Sequence, residues 1–465
     1  MAKQPTSVTI AVLGGGGRYW CPTVLRDLAL CPDLTGEIRL HGRTPSKLAS
    51  NVKVGRQVFR HPDSKTRFKL SATTSLREAL KGADFVFIGI SPGPNEMFAN
   101  DLDIPSKYGI LQTVGDTTGP AGISRALRSV PIHMRYAEAV SRTCPDAWVI
   151  NYTNPMTLCT AALFAGFQEI KAFGCCHEVA AAKTWLAKIV ESELGVSRPP
   201  RDAIRMDVAG VNHFTFATAA SFEDRDLFPV MKRYMKRRGR FADASEYARD
   251  NAARGALWDH KGLVSMDFFR KFGALGAAGD RHLVEFVPWY LGAGEDALHR
   301  WGVVVTPGSF RKGTWTPAPG VKAAPNPLDA SGGIPKKLKP SGEEAVQQVC
   351  ALLGIQDLDT NVNIPNCGQL EQLPLCQIVE TNAQFRHNSV RPIVPKPLPK
   401  ALAPLVNRIC DVQRLTLEAA ISCNFDTALQ AVLLDPLCTI GTDKAARMLK
   451  EMIQANKALL PGWKN

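Results

Sequence analysis

Val8-Thr9-Ile10-Ala11-Val12-Leu13 runs directly into Gly14-Gly15-Gly16-Gly17, and residues 22–30 follow with Val24, Leu25 and Leu28 at helical spacing. An apolar run of this length suits a strand buried on both faces of a parallel sheet. Glycines between a first strand and a first helix permit a tight turn and let backbone approach a pyrophosphate, which the helix N-terminus attracts. Gly14 and Gly16 supply the G-x-G part of a dinucleotide-binding fingerprint, while Tyr19 stands at its third glycine position. Arg18 lies in the same loop.

Outward from this unit, residues 37–40, 84–90, 147–150, 171–174 and 206–211 read as further short strands. Helical stretches such as residues 180–194 separate them, and this alternation predicts a doubly wound α/β sheet. Beyond about residue 215 the pattern becomes longer amphipathic segments, for example residues 404–420 and 444–460. The expected organisation is a Rossmann-like dinucleotide-binding domain over 1–205. A mixed, mostly helical α+β domain for catalysis, substrate and oligomerisation follows over 206–465. Residues 311–341, rich in Pro, Gly and Lys, read as a long surface loop.

An acidic residue closing the second strand would bind the ribose hydroxyls of NAD. Leu40-His41-Gly42-Arg43 puts Gly42 there instead, and Arg43 could accommodate the 2′-phosphate of NADP, so both cofactors stay open.

The chain carries 56 Lys and Arg against 43 Asp and Glu, a net charge of +13. Lys232, Arg233, Lys236, Arg237, Arg238 and Arg240 cluster, but no nucleic-acid module accompanies them, and a solvated helix face is the expectation. No window approaches the roughly 18 consecutive apolar residues of a membrane helix, and the polar N-terminus does not resemble a secretory signal. Twelve scattered cysteines, with Cys175 and Cys176 adjacent, favour a reducing, cytoplasmic compartment over a disulfide framework.

Several segments together resemble glycoside hydrolase family 4 along nearly the whole chain. They are the glycine loop, Val114-Gly115-Asp116-Thr117-Thr118-Gly119-Pro120, Asn151-Tyr152-Thr153-Asn154-Pro155-Met156, Cys176-His177-Glu178-Val179 and Gly210-Val211-Asn212-His213-Phe214. The Cys-His-Glu-Val version, Gly279-Asp280-Arg281-His282-Leu283-Val284-Glu285-Phe286 and Asn361-Val362-Asn363-Ile364-Pro365-Asn366 resemble the α-galacturonidase branch. The resemblance implies a glycosidase that depends on NAD and on a divalent metal, and that assembles as a homodimer or tetramer. Its route is oxidation at C3 of the sugar, deprotonation at C2, elimination of the glycosidic oxygen, water addition and re-reduction.

The same resemblance implies the site. Cys176 and His213 match the metal ligands; thiolate plus imidazole alone suggests Zn²⁺, whereas the family points to Mn²⁺. Each follows a predicted strand, so the two can converge at the carboxyl edge of the sheet. Gly14, Gly15, Gly16, Gly17, Arg18, Arg43 and Asn151 are expected at the cofactor. Asp116, Asn154, Glu178, Arg281 and His282 are expected at the substrate, with Arg281 fitting the C6 carboxylate of an α-galacturonide by its planar fork. Arg18 and Arg125 are further carboxylate candidates, and Arg125 alternatively faces the cofactor's phosphates. Asp280 is expected as the C2 base and His177 as the acid protonating the leaving oxygen. Three other readings accompany this one: a family 4 glycosidase for another α-glycoside, a malate- or lactate-type dehydrogenase, to which such a first domain is related, and a non-catalytic nucleotide-binding protein.

Overall fold

The computed structural model describes residues 4–238, 243–323 and 334–463. Six parallel strands come from the first half of the chain: β1 (Thr6–Leu13), β2 (Leu34–His41), β3 (Phe68–Thr73), β4 (Phe85–Ile88), β5 (Trp148–Asn151) and β6 (Lys171–Gly174). Their spatial order, β3-β2-β1-β4-β5-β6, is that of a doubly wound sheet. The order reverses between β1 and β4, and the glycine loop leaves β1 at that switch point. Along β1, Val8, Ile10 and Val12 enter one core cluster, whereas Ala11 and Leu13 enter another. Burial on both faces explains why this strand is apolar at alternate and intervening positions alike.

Residues 206–211 do not join that sheet as expected. They belong to β7 (Ile204–Val211), which pairs antiparallel with β8 (Phe214–Phe222); β9 (Arg225–Asp226) and β10 (Leu275–Gly276) complete a second sheet. The connection from β7 to β8 is only Asn212-His213, with His213 at φ 68°. A two-residue link can make a hairpin but leaves no length for the crossover a parallel neighbour needs.

Three later strands return to the first sheet. In β11 (Leu358–Pro365), β12 (Ile378–Arg386) and β13 (Ser389–Pro392) the pairing is antiparallel, and β11 joins β6 through Asn363 opposite Gly174. The result is a nine-stranded sheet assembled from both halves of the chain. The amphipathic segments form helices Ala403–Ser422 and Thr442–Ala455, and with helix Phe425–Leu434 they share a core with helix Gly119–Thr143.

The flanks of the expected 311–341 loop are ordered and packed, which corrects that expectation. Arg311 lies in the short helix Gly308–Lys312, Leu338 is buried, and the Ser341 amide donates to Asp27 Oδ1 at 2.8 Å. The middle, 324–333, lies outside the described residues. The basic cluster sits on helix Leu227–Arg238, where Lys232, Arg233, Lys236 and Arg237 are exposed as expected; Arg240 lies outside the described residues. Among the described residues no helix is long and apolar enough to cross a membrane.

Two carboxylates from the C-terminal half hold the loop between residues 113 and 119. Glu285 Oε1 accepts from the amides of Val114 (2.8 Å) and Gly115 (3.0 Å). Asp435 Oδ2 accepts from Gly119 N at 3.0 Å, at the start of helix Gly119–Thr143, and from Thr118 Oγ1 at 3.3 Å. Burial pushes the Asp435 carboxyl up to about 6. A native pKa raised above the unfolded value contributes stability that is complete below about pH 4 and is lost as pH rises through about 6. The stability of the wild type relative to Asp435→Asn, from urea unfolding, is therefore expected to fall by about 3 kcal/mol between about pH 4 and pH 7. A difference that stays flat with pH would reject this role.

Candidate active site

The carboxyl edge of the doubly wound sheet collects the predicted residues. At β1 the turn is set by close approach: a Cβ on Gly14, which sits at φ 106°, would lie 2.0 Å from the Gly89 carbonyl oxygen. On Gly15 it would lie 2.6 Å from Leu40 Cβ. Asn51 Nδ2 donates to the carbonyls of Gly15 (2.7 Å) and Gly17 (2.8 Å) and fixes the loop from the second helix. The following helix, Trp20–Ala29, has no acidic residue in its first turn and no side-chain cap, so its N-terminal dipole faces the loop uncompensated. That cradle fits a dinucleotide pyrophosphate. Arg18 and Arg43 are both exposed, Arg43 just past the end of β2.

Cys176 follows β6 and His213 sits in the hairpin turn, and the two meet with Sγ 3.4 Å from Nε2. Their convergence needs both sheets, since β7 lies in the second one. His213 Nδ1 lies 2.8 Å from Thr117 Oγ1, and Thr117 Oγ1 donates to Asp116 Oδ1 at 2.6 Å. The hydroxyl has one proton, given to the carboxylate, so it accepts from Nδ1–H. The lone pair of Nε2 is then turned toward Cys176, the arrangement a metal-bound imidazole requires.

Asp116 and His282 join this group: one ligand atom each from Asp116, His213 and His282 lies within 4.8 Å of the others. The His282 ring stacks on His213 with centroids 3.7 Å apart, and burial together with the neighbouring His213 pushes its pKa down to about 3, which leaves it neutral and able to act as a donor. Thiol, two imidazoles and a carboxylate converging in a buried site fit a divalent cation. Burial also pushes the Cys176 thiol well up, and a bound cation would favour its thiolate.

Asn154 Nδ2 donates to Asp116 Oδ2 at 3.0 Å, while its Oδ1 is buried with no partner, an acceptor oriented within the same cluster. Asn151 behaves differently. Both ends of its amide are used internally, with Thr153 and Thr160, so it holds the turn that carries Asn154.

Glu178 opens helix Glu178–Leu194; its Oε2 accepts from Gly279 N at 2.6 Å and its Oε1 lies 3.6 Å from His177 Nε2 and 3.9 Å from His282 Nε2. His177 Nδ1 also faces Glu343 Oε1 at 3.3 Å, and this hydrogen bond pushes the His177 pKa up to about 9. The His177 side chain is 61% exposed, the most open of the catalytic candidates. Asp280 is enclosed. Its Oδ1 accepts from Ser265 N at 3.0 Å, and its Oδ2 lies 3.7 Å from His260 Nδ1, whose side chain is 34% exposed. His260 was not foreseen from sequence, where it is a lone histidine between Trp258 and Lys261.

Arg281 is 3% exposed, with Nη2 donating to the Thr113 carbonyl and to Thr306 Oγ1 and with its guanidinium over the Trp258 ring. Arg125 Nε donates to the Asn154 carbonyl at 3.0 Å. Arg311 was also not foreseen; its guanidinium lies beside Phe98 and Trp258.

A doubly wound nucleotide cradle and a thiol–imidazole–carboxylate group in one chain are the features of a metal-assisted, dinucleotide-binding enzyme. Residues 9–192 match the model for family 4 glycosyl hydrolase, and residues 208–438 match the model for family 4 glycosyl hydrolase C-terminal domain; the chain belongs to this family. It is 40% identical to an alpha-galacturonidase of Thermoanaerobacterium saccharolyticum, over 98% of this chain and 97% of the relative. Among solved structures it is similar to lplD of Bacillus subtilis, with TM-score 0.85 and 36% identity over 96% of this chain and 99% of the other. A 6-phospho-alpha-glucosidase from gut microorganisms, solved in complex with NAD and Mn²⁺, has the same fold at TM-score 0.75 and 19% identity over 99% of this chain and 100% of the other. Membership of a hydrolase family sets aside the dehydrogenase and non-catalytic readings.

Thr117 gives a direct check of the cluster. Thr117→Val keeps the shape but removes the bridge between Asp116 and His213, and it is expected to weaken Mn²⁺ binding, titrated calorimetrically on metal-free protein, by roughly 10–100-fold. Unchanged affinity would show that Thr117 does not orient His213.

Proposed function

We propose that the chain is an NAD- and divalent-metal-dependent α-galacturonidase that releases galacturonic acid from α-galacturonides. The observation that carries this is the contact of Cys176 with His213 and the grouping of His213 with Asp116 and His282, in a family 4 chain whose curated relatives include alpha-galacturonidases. When bound, NAD would accept and return the hydride at C3 while a Mn²⁺ ion would neutralise charge on the C2 and C3 oxygens.

The protein's own residues then have distinct tasks. Gly14, Gly15, Gly16 and Gly17 receive the pyrophosphate, and Arg43 lies where the adenosine ribose would end. Cys176 and His213 hold the cation, with Asp116 and His282 around it. Asn154 Oδ1 takes a sugar hydroxyl, which would satisfy its buried, unpartnered acceptor. Proton removal at C2 falls to Asp280 acting with His260, whose ring, partly exposed, lies against the enclosed carboxylate. His177, open to solvent and hydrogen-bonded to Glu343, delivers a proton to the leaving oxygen, and Glu178 holds His177 and Gly279 in place.

An aryl α-galacturonide incubated with NAD, Mn²⁺ and a thiol in heavy water is expected to be hydrolysed with no net reduced cofactor and with deuterium at C2 of the product. Neither hydrolysis nor deuterium would sink the proposal. Asp280→Asn is expected to lower kcat by roughly 10²–10⁴-fold together with the rate of C2 exchange.

A further inference from the structure

We propose that Arg311, backed by Arg125 across the Phe98 ring, receives the C6 carboxylate of the substrate and sets the preference for uronides; this inference rests on the galacturonidase reading above. Three guanidiniums, those of Arg125, Arg281 and Arg311, gather beside Asp116, and the carboxylates facing them are Asp116, Glu285, Glu178 and, at Arg125, Asp101, which is paired with Arg128. Each of those carboxylates is engaged elsewhere. Asp116 is bonded by Thr117 and Asn154, Glu285 by two backbone amides, and Glu178 by the Gly279 amide. Burial further pushes Glu285 up to about 7, which weakens it as a counter-charge.

Among the described residues no carboxylate lies within ion-pair distance of any of the three guanidiniums. Their N–H groups are correspondingly under-used: Arg125 Nη1, Arg281 Nε and Nη1, and Arg311 Nε are buried without acceptors. Unpaired guanidinium donors out of water are costly, and an anion is the ligand that would relieve them. A carboxylate attached directly to ring carbon C5 is the anion that an α-galacturonide brings.

Arg311 is the member placed to touch it. Arg281 is 3% exposed and Arg125 5% exposed, and both are tied to backbone carbonyls around them. Arg311 is partly exposed, and only its Nη2 is committed, to the Val114 carbonyl at 2.6 Å. Its guanidinium lies 4.2 Å from the Phe98 ring centre, and that of Arg125 lies 4.3 Å from the same ring. Trp258 covers Arg311 at 5.5 Å. The rings exclude water and hold the fork still, so a charge-assisted bond made there is stronger than one at the surface. Val114 lies two residues before Asp116, so the bond to its carbonyl ties Arg311 to the loop that carries Asp116 into the metal-binding cluster.

The test compares an aryl α-galacturonide with its C6 methyl ester, using wild type, Arg311→Met and Arg311→Lys, with galacturonic acid binding measured separately by calorimetry. Arg311→Met keeps the apolar stem on Phe98 and is expected to raise KM for the acid about 100-fold, with kcat changed far less and the ester unaffected. Galacturonic acid affinity should fall in parallel. Arg311→Lys keeps the charge but loses the planar fork, and it should lose about tenfold of the preference; it carries the test if the methionine variant does not fold. An acid-to-ester preference equal to wild type in either folded variant overturns the inference. Failure of the wild type to hydrolyse the galacturonide at all would instead overturn the functional reading, and it is seen before any substitution is made.

Discussion

The loop carrying Asp116 exists in its observed form because carboxylates from the other half of the chain accept its amides. Glu285 takes Val114 and Gly115, and Asp435 takes Gly119. Leaving a buried amide of this loop unpaired costs about 1–3 kcal/mol. The loop in turn orients Thr117, Thr117 selects the His213 tautomer, and His213 faces Cys176. Removing either carboxylate would therefore loosen a metal-binding group on elements that it does not touch. The two halves are coupled through this loop as much as through their shared apolar core.

The second structural dependence is the antiparallel addition to the sheet. β11 and β12 are polar for strands at the centre of a protein, with Asn361, Asn363 and Glu380 all buried. Their polarity has a local cause. Glu380 accepts from Thr215 Oγ1 at 2.7 Å, Asn361 Nδ2 at 2.9 Å and Asn212 Nδ2 at 3.3 Å, and Asn361 Nδ2 also reaches the Cys176 carbonyl at 3.4 Å. The network ties the hairpin that presents His213 to the strand end that presents Cys176. A buried carboxylate satisfied on three sides rigidifies its surroundings in a way an apolar side chain cannot. The strands added to the first sheet support the Cys176–His213 pair from behind.

Where burial was two-sided, the strands announced themselves. β1, β4, β5 and β6 are short apolar runs with turn residues or polar caps at their ends, and their positions follow from that pattern. β3 escaped notice because it is a largely solvent-facing edge, Phe68-Lys69-Leu70-Ser71-Ala72-Thr73, with only Phe68 buried. β11 and β12 escaped because the network around Glu380 replaced the apolar residues by which strands are recognised. The Cys176–His213 pair was legible through motif resemblance, not through spacing, since its members come from different sheets. Arg311 and His260 had no local signal at all: Arg311 acquires meaning only from Phe98 and Trp258, and His260 only from Asp280, partners that the fold alone assembles.

Charge shows the same separation between composition and site. The net +13 is carried largely by exposed side chains, including those of helix Leu227–Arg238, where solvent and salt screen them within about 10 Å. Such charge says little about what the protein recognises. The buried guanidiniums of Arg125 and Arg281 and the partly exposed one of Arg311 count for far more, because the surroundings of Phe98 and Trp258 are apolar and screening there is weak. Left without a carboxylate at ion-pair distance, they hold a standing positive potential beside the metal-binding cluster. On the proposed reading, a neutral sugar would leave that potential unanswered and these donors unpaired, whereas a uronide would bring them an acceptor. Selectivity of this kind comes from the cost of the wrong ligand as much as from the gain of the right one.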